Sequence, residues 1–369
     1  MKNIFALILL FLLSVSVHLQ GQSTEDNTQK TKISAYFWSD YFYNVIRDND
    51  HAQITSNRTL TGNKDNSGFQ IRRMNLTFDH KLEKNISARL RFESENESFT
   101  QNGRSAAFIK DLYVEVKDAF AGQDVVLGLQ ANPMIELADR YWNNRHIEKT
   151  IGDYRGFFSS RDLGVSIAGD ILEDGLLNYK FLFGNRSALR IEDNNSKSFQ
   201  LTLNGTAAGS FSYMLNTEFV NYGNMLVNTG SAETEYANNQ YSGFVLVDYT
   251  QKGFFSLTAE GIYSVRQNGA SSAGVYSDRN TLAFSVHGKY HISPELNAAL
   301  RYDYIDPNSS SDFKNDSRTG YIAVLNWKAN KYITVSPNVL VEEYEELANG
   351  NKYRPSVTGR ITFNVVLIP

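Results

Sequence analysis

Histidines and carboxylates are the side chains of this sequence whose spacing could do chemistry. His287 and His291 lie four residues apart, a separation that suits two ligands of one metal ion on a helix. On a β-strand the same separation covers about 13 Å at roughly 3.3 Å per residue, so one ion could not bind both rings. We therefore expect two polar strand residues here, and we predict no metal site and no cofactor.

A serine nucleophile would need a histidine within hydrogen-bond reach. His146 with Ser159 or Ser160 is the pairing that the sequence offers, because all three residues fall in one long connection. No glycine-rich phosphate loop follows a strand into a helix, so nucleotide binding has no support. The prediction is that the protein is not an enzyme, and a membrane-barrel enzyme remains an alternative that the placement of His146 would decide.

Two pairs of carboxylates could be interpreted as general acids and bases. Glu93 and Glu95 form one pair, and Asp111 and Glu115 form the other. Each pair alternates with apolar residues, so its members share one face of a strand. Solvated charge on a wet face explains both pairs, and this interpretation depends on the strands that carry them.

Strict alternation of apolar and polar residues is clearest at residues 86–95, ISARLRFESE. Successive side chains leave a strand on opposite sides, so the pattern predicts a strand with one apolar and one charged face. Two predicted strands, near 239–250 and 318–329, have apolar residues on both faces. The sixteen predicted strands lie near 33–46, 69–80, 86–95, 107–117, 124–131, 163–172, 176–184, 197–205, 210–222, 239–250, 254–266, 279–292, 295–306, 318–329, 332–344 and 353–367.

The connections between these strands alternate in length. The short ones are 81–85, 118–123, 173–175, 206–209, 251–253, 293–294 and 330–331. The long ones are 47–68, 96–106, 132–162, 185–196, 223–238, 267–278, 307–317 and 345–352. Outer-membrane barrels place their short turns at one end, and soluble β-proteins have no reason to do so. We predict an all-β, transmembrane antiparallel β-barrel of sixteen strands, with short periplasmic turns and long extracellular loops.

The charged strand faces would then line water. A backbone in a bilayer must be fully hydrogen-bonded, so the sheet has to close on itself. A barrel of sixteen strands is too wide for side chains to fill, and its lumen is aqueous. Arg89, Arg91 and Glu93 would point into this lumen, while Leu90 and Phe92 would face lipid.

The longest connection, 132–162, is rich in residues that bind anions by charge or by bidentate contact. A wide barrel needs a loop folded into its lumen if the pore is to be narrower than the barrel, so we predict that this segment is an inward-folded constriction loop. The residues predicted to line the pore or its constriction are Arg73, Arg89, Arg91, Glu93, Asp111, Glu115, Arg140, Arg145, Lys149, Arg155, Arg161, Arg301 and Arg360.

Composition and the start of the chain agree with export. The formal net charge of -4 gives no sign of nucleic-acid binding. Lys2 and a short apolar run predict a cleaved signal peptide at 1–21, followed by a flexible arm at 22–32 and the barrel at 33–369. The chain has no cysteine, which excludes disulfides and thiolate chemistry.

Three segments resemble the phosphate-selective porins O and P and their general-porin relatives: Arg72-Arg73, IKDLYVEV at 109–116, and SSRDLGVSI at 159–167. The resemblance implies a sixteen-stranded barrel, usually trimeric, that passes small solutes. It carries over to Arg72, Arg73 and Asp111, and to Ser160, Arg161 and Asp162 at the end of the long loop. It does not carry phosphate specificity, because inward basic and acidic residues are nearly balanced here.

The function predicted is a passive channel for small hydrophilic solutes or ions, with an anion preference as a possible refinement. The bacterial outer membrane is the expected location, with membrane lipid, the solutes and two further copies of the chain as partners. A secreted β-rich protein that binds glycans is the other alternative, disfavoured by the alternating connections.

Overall fold

The computed structural model describes residues 30–48, 63–95, 104–186, 195–207, 209–228, 233–272, 274–310, 316–347 and 350–369. The predicted signal peptide and most of the predicted arm lie outside these residues. The arm prediction is two residues too long, since Thr31 and Lys32 already pair with β2. Among the described residues, no helix combines the length and the apolar character needed to cross a membrane.

Sixteen antiparallel strands form one closed barrel, in which each strand pairs with the next and β1 pairs with β16. The fold class predicted from alternation is therefore confirmed. The strands are β1 Thr31–Ile46, β2 Ser67–Lys81, β3 Ile86–Glu95, β4 Phe108–Phe120, β5 Gln123–Ala131, β6 Arg161–Leu172, β7 Leu177–Gly184, β8 Lys197–Ala207, β9 Phe211–Asn228, β10 Glu233–Gln251, β11 Phe255–Ser272, β12 Val275–His291, β13 Leu296–Asp306, β14 Arg318–Lys328, β15 Ile333–Tyr344 and β16 Ser356–Ile368.

Three short helical segments interrupt this pattern in the part of the chain that the structure describes. Helices α1, Pro133–Trp142, and α2, Ile151–Tyr154, both belong to the connection between β5 and β6. A 3-10 turn at Glu173–Gly175 joins β6 to β7. We call the end of the barrel with the short connections the turn end and the opposite end the loop end.

Two of the predicted loops, 223–238 and 267–278, are wrong. The structure continues β9 and β10 to Asn228 and Glu233, and β11 and β12 to Ser272 and Val275. The extended parts stay paired, for example Thr234 with Val227. Polar residues such as Asn224 and Asp278 are frequent there, and the apolar residues 225–227 are consecutive. The alternation that reveals a half-buried strand is therefore absent although the pairing continues.

The outer surface carries a broad apolar band. Leu127, Leu215, Val247, Leu257 and Leu300 are each at least half exposed on it. An exposed apolar surface of this kind matches hydrocarbon and would be unfavourable in water.

Aromatic rings bound this band on both sides. At the loop end, Phe183, Phe199, Phe219 and Tyr241 form a row with centroid separations of 4.9, 6.2 and 5.2 Å. At the turn end, Phe211, Tyr249 and Phe255 form another, with separations of 4.8 and 5.5 Å. Phe211 and Phe219 lie about 26 Å apart along β9 at roughly 3.3 Å per residue. The two rows therefore sit at the spacing of interfacial aromatic girdles.

We expect Gly164→Ala to destabilise the barrel. A Cβ at Gly164 would lie 2.0 Å from the carbonyl oxygen of Phe183, so β6 and β7 would have to separate locally. Overpacking of this kind costs about 1 to 3 kcal/mol of unfolding free energy. Denaturant titration, followed by the gel mobility of folded barrel, measures the loss. Gly243→Ala is the matched control, because nothing lies within 4 Å of its Cβ position, and equal stability of the two variants would contradict this prediction.

Candidate pore constriction

The segment between β5 and β6 lies inside the barrel and begins with a capped helix. The side-chain oxygen of Asn132 accepts hydrogen bonds from the backbone N–H groups of Met134 and Ile135, at 3.0 and 3.4 Å. Pro133 occupies the first helical turn, where its missing N–H is not needed. The helix ends at Asn143, whose φ of 48° is left-handed and stops the helix from continuing. Helix α1 therefore starts directly where β5 ends.

We call the segment between β5 and β6 the inner loop. One side of it packs on an apolar part of the lumen wall. Met134, Ile135 and Ile151 of the loop are fully or almost fully buried in a cluster that also contains Phe157 and Phe158. The wall residues of this cluster are Met214, Phe244, Leu246, Ile262, Ala283 and Ile305. Strands β9 to β13 thus expose apolar side chains inward because the loop covers them.

Trp142, the last residue of α1, fixes the helix to the wall. Its ring lies 5.0 Å from the ring of His287 and 5.1 Å from the guanidinium carbon of Arg301. A second apolar cluster surrounds it, with Ile147, Ala299, Ile322, Val324 and Leu340. Trp142 is 1% exposed, so the inner loop is anchored at this point by a fully buried aromatic ring.

Four successive carbonyl groups of the loop, at residues 146 to 149, each accept a hydrogen bond from a buried side chain. Arg72 donates to the carbonyls of His146 and Ile147, at 2.8 and 2.6 Å. Arg360 donates to the carbonyl of Ile147 at 2.8 Å. Trp142 donates to the carbonyl of Glu148 at 2.8 Å, and Arg301 to that of Lys149 at 2.6 Å. These contacts fix the backbone of the loop against the barrel.

Two further arginines fasten the second half of the loop. Arg155 donates to the Glu342 carboxylate on β15 at 2.7 Å. Arg186, just after β7, donates to the carbonyl of Phe157 at 2.8 Å and lies 3.4 Å from the Glu218 carboxylate. Together with the apolar clusters, these contacts hold the loop to β2, to Arg186 after β7 and to the strands from β9 to β16.

Two β-bulges aim additional basic side chains inward on β2 and β4. Trp38 pairs with Arg73 and Ser39 with Ile71, which leaves Arg72 as an extra residue. Because one extra residue shifts the alternation, neighbouring residues at a bulge can point to the same face. Arg72 and Arg73 are both buried inside the barrel.

The same geometry occurs at Lys110 on β4, where Arg91 pairs with Asp111 and Phe92 with Ile109. Lys110 and Asp111 are therefore both buried on the inner face.

Ion pairs connect the basic side chains of this wall to carboxylates. Glu93 lies 3.8 Å from Arg73 and 3.0 Å from Lys110. Asp111 lies 3.1 Å from Arg91 and also binds Arg161. Each carboxylate therefore bridges two cations, which keeps the wall ordered.

The inner loop presents a second set of charges. Arg145 pairs with Asp139 at 3.1 Å and with Asp153 at 2.6 Å. Burial raises the pKa of Asp153, but the charges of Arg145, Lys149, Lys110 and Arg73 together lower it more, so the net shift is downward. Burial raises the pKa of Asp139, and there the charge of Arg145 does not outweigh it.

The charged groups that solvent reaches best mark the open part of the lumen. Arg140 and Glu136 on α1 pair at 3.0 Å and have side chains that are 67% and 45% exposed. On the wall, Arg89 and Asp79 pair at 2.6 Å and are 30% and 38% exposed. The guanidinium of Arg89 also lies over the ring of Tyr113, 5.8 Å from its centroid.

Solved structures resembling this barrel are outer-membrane channels and porins. The outer-membrane channel DcaP of Acinetobacter baumannii aligns with a TM-score of 0.65 and 12% identity over 94% of this chain and all of its own. The anion-selective porin of Comamonas acidovorans aligns with a TM-score of 0.62 and 12% identity, over 91% of this chain and all of its own. OmpF of Salmonella typhi also gives 0.62 and 12%, over 94% and 100%. The chain has the porin fold. No family model and no curated protein matches the sequence.

Within this porin fold, the predicted lining residues fall into three groups. Those exposed on the open lumen or joined to its charged wall are Arg73, Arg89, Arg91, Glu93, Asp111, Glu115, Arg140 and Arg161. Arg145 and Lys149 lie on the inner loop and share Asp153. Arg155, Arg301 and Arg360 hold the loop in place, and the last two are almost completely buried. The side chains of these three residues therefore stabilise the position of the loop and do not line the aqueous pore.

Other residues of the site were not predicted from sequence. Trp142 and Arg186 carry no distinctive local pattern, and their contacts come from distant strands. The inward apolar residues Phe244, Leu246, Ile322 and Val324 did leave a signal, because they gave β10 and β14 two apolar faces. An inward apolar face in a porin-like lumen indicates the surface on which a loop docks.

The residues considered for catalysis have other partners in this structure. His146 Nε2 contacts the side-chain oxygens of Asn326 and Ser336, at 3.1 and 3.2 Å. Ser160 Oγ accepts a hydrogen bond from Lys110 at 3.4 Å, and Ser159 donates to a backbone carbonyl. Across the described ranges, no three histidine or acidic side chains cluster as a metal site would need.

Acid should loosen the inner loop through His146. Burial lowers the pKa of His146 to about 4 from 6.5. In a loop released from the wall, His146 would bind a proton below about pH 6.5, whereas in the loop docked on the wall, the seated state, it would not. The free energy that favours the seated state therefore falls by roughly 1.4 kcal/mol per pH unit. We expect single-channel current to become noisier between pH 6.5 and 4.5.

The variant His146→Gln should lose this pH dependence, since an amide keeps a donor for Asn326 and does not titrate. Below about pH 4.5, Glu148 and Asp153 weaken the seated loop as well, because their pKa values are lowered when the loop is seated. Asp139 acts in the opposite direction, since its pKa is raised. An unchanged acid response in His146→Gln would show that another group is responsible.

Proposed function

We propose that this protein is a passive diffusion channel of the outer membrane for small hydrophilic solutes or ions. One observation carries the proposal. The outer surface of the barrel is apolar between two aromatic rows, and the lumen inside it contains solvent-exposed ion pairs and an anchored inner loop. Solute size would be limited by the loop, and charge selection would come from the field of the lining groups. No bond is made or broken in this function.

Both sides of the constriction carry charges of both signs. The wall carries Arg73, Arg91 and Lys110 with the carboxylates of Glu93 and Asp111, and the inner loop carries Arg140 and Arg145 with Glu136 and Asp139. Nearly every cation is paired with a carboxylate, which supports a mild preference for anions rather than strong exclusion of cations. The sequence resemblance to phosphate-selective porins enters the proposal only as a related trimeric pore, without phosphate specificity.

The location and assembly belong to the same proposal. Cleavage after Gly21, passage to the outer membrane and a homotrimer are all expected. The neighbours include a protein described as OmpT of Vibrio cholerae in a trimer form, which aligns with a TM-score of 0.58 and 10% identity. Amino-terminal sequencing of the exported chain and native mass determination in detergent would test cleavage and assembly separately.

Single-channel recording of residues 22–369, refolded into a planar bilayer, tests the pore function. Stepwise, long-lived conductance is expected, and a salt gradient gives the sign of selectivity from the reversal potential. A silent bilayer with barrel that is demonstrably folded would contradict the proposal. Liposome swelling with neutral sugars of increasing mass would then measure the size limit that the inner loop imposes.

A further inference from the structure

Strands β9 to β12 are the longest in the barrel, with 18, 19, 18 and 17 residues. They continue at the loop end beyond Phe219 and Tyr241 of the aromatic row. Arg266 on β11 and Arg279 on β12 stand directly opposite each other in this extended part. The constriction described above uses neither residue.

Both arginines lie on the inner face by strand alternation. On β11, the buried residues Glu260, Ile262 and Ser264 alternate with exposed or half-buried ones, which places Arg266 on the inner side. On β12, Ala283 and Ser285 are buried inward, and Arg279 has the same parity. The two guanidinium groups therefore share the mouth of the lumen, where partners on opposite strands have Cβ atoms about 5 Å apart.

The side-chain contacts of Arg266 are with neutral groups. Arg266 donates from Nε to the side-chain oxygen of Asn238 at 2.9 Å and stacks on Tyr222, with its guanidinium carbon 4.6 Å from the ring centroid. These contacts orient the guanidinium, and its two Nη groups donate to no other residue that the structure describes. Among the residues that the structure describes, neither Arg266 nor Arg279 forms an ion pair with a carboxylate.

Like charges on directly opposed residues destabilise a sheet. Elsewhere in the lumen this cost is avoided, because Arg73, Arg91 and Lys110 all have carboxylate partners. A guanidinium pair that lacks a carboxylate, and of which Arg266 is held by its contacts, is suited to receive one from a ligand, since guanidinium binds carboxylates through parallel hydrogen bonds.

We propose that Arg266 and Arg279 form a binding site for the carboxylate group of small organic acids at the outer mouth of the pore. The site rests on the proposed channel function and would concentrate organic anions before they reach the constriction. Carboxylates fit better than phosphate, because phosphate near neutral pH still carries an O–H donor that needs an acceptor. Neither arginine has an acidic side chain paired beside it, in the described chain, that could accept such a bond.

Single-channel conductance against concentration tests this site, with potassium acetate, potassium phosphate and potassium chloride as the salts. Wild-type protein is expected to give a saturating curve in acetate, because a bound anion limits the current. In the double variant Arg266→Gln/Arg279→Gln, half-saturation should move to roughly tenfold higher acetate concentration, in line with the loss of charge-assisted hydrogen bonds. The double variant Lys84→Gln/Lys331→Gln removes the same charge at exposed positions of the turn end and should leave the acetate curve unchanged.

Several results would overturn the proposal. One is a linear acetate curve in wild-type protein, and another is an equal change in all three salts without a shift of half-saturation. Saturation by phosphate at lower concentration than by acetate would show that the ligand class is wrong.

Saturation-transfer NMR on the methyl protons of acetate, with detergent-folded protein, measures acetate binding independently of channel current. Transfer that is present in wild type and lost in the arginine variant supports the site even if the bilayer is silent. Absence of transfer in wild type would refute it. A conducting channel without acetate saturation would refute the site and leave the channel function intact.

Discussion

Replacing Trp142 by alanine is expected to raise single-channel conductance and to make it fluctuate, because the inner loop loses its buried anchor. The ring fills a cluster with Ile147 and Leu340 and contacts both His287 and Arg301. Its Nε1 also donates to the carbonyl of Glu148. Deleting a buried tryptophan side chain costs about 3 to 5 kcal/mol. The lost energy stabilises the position of the inner loop and not the pairing of the strands. The barrel itself should therefore persist.

Trp327→Ala is the matched control for this variant. Trp327 is half exposed on the outer face of β14, so its removal takes the same side chain from the opposite side of the wall. We expect its conductance to equal that of wild type. Folded Trp142→Ala barrel with unchanged, quiet conductance would mean that the inner loop does not limit the pore.

Neutralising Arg89 and Arg91 together should lower the anion-to-cation permeability ratio. Each charge contributes about 0.5 kcal/mol at roughly 8 Å in water. Two such charges change the free energy of an anion and of a cation by about 1 kcal/mol each, in opposite directions. The ratio therefore changes by about thirtyfold at low salt, and less as screening increases. Their removal also leaves Asp79 without its 2.6 Å partner and removes one of the two cations that bind Asp111, which adds to the cationic preference.

The reversal potential in a salt gradient measures this change for Arg89→Gln/Arg91→Gln. The complementary variant Asp79→Asn/Asp111→Asn should shift the potential in the opposite direction. The double variant of Lys84 and Lys331 at the turn end serves as a control of equal charge. A potential that stays at the wild-type value would show that ions take a path away from β3.

The number of strands and the barrel class could be predicted from sequence because each strand needs only half of its residues to be apolar. That alternation is a local property, so it survives without knowledge of the partner strands. It failed at 223–238 and 267–278, where polar residues are frequent and the apolar ones do not alternate with them, although the strands stay paired. The length of a strand outside a bilayer has no such sequence signal.

The charge set could be predicted in composition but not in role. Arg301 and Arg89 both alternate with apolar residues, and nothing local distinguishes them. The structure separates them because the inner loop covers Arg301 and leaves Arg89 in the lumen. Which part of the wall is covered depends on contacts between residues more than a hundred positions apart, as between Arg301 and Lys149.

The hydrogen bonds to the four carbonyl groups at residues 146 to 149 are made to the peptide backbone. These bonds do not depend on the side chains of the four residues. The side chains of His146 and Ile147 add to this fastening, through the contact with Asn326 and through the second apolar cluster. The exposed positions of α1, Glu136 and Arg140, play no part in this fastening. The residues that hold the inner loop in place are therefore different from the residues of α1 that present charge to the lumen. Mutation or engineering could rewrite the inward charges of α1 one at a time without rebuilding the scaffold that carries them.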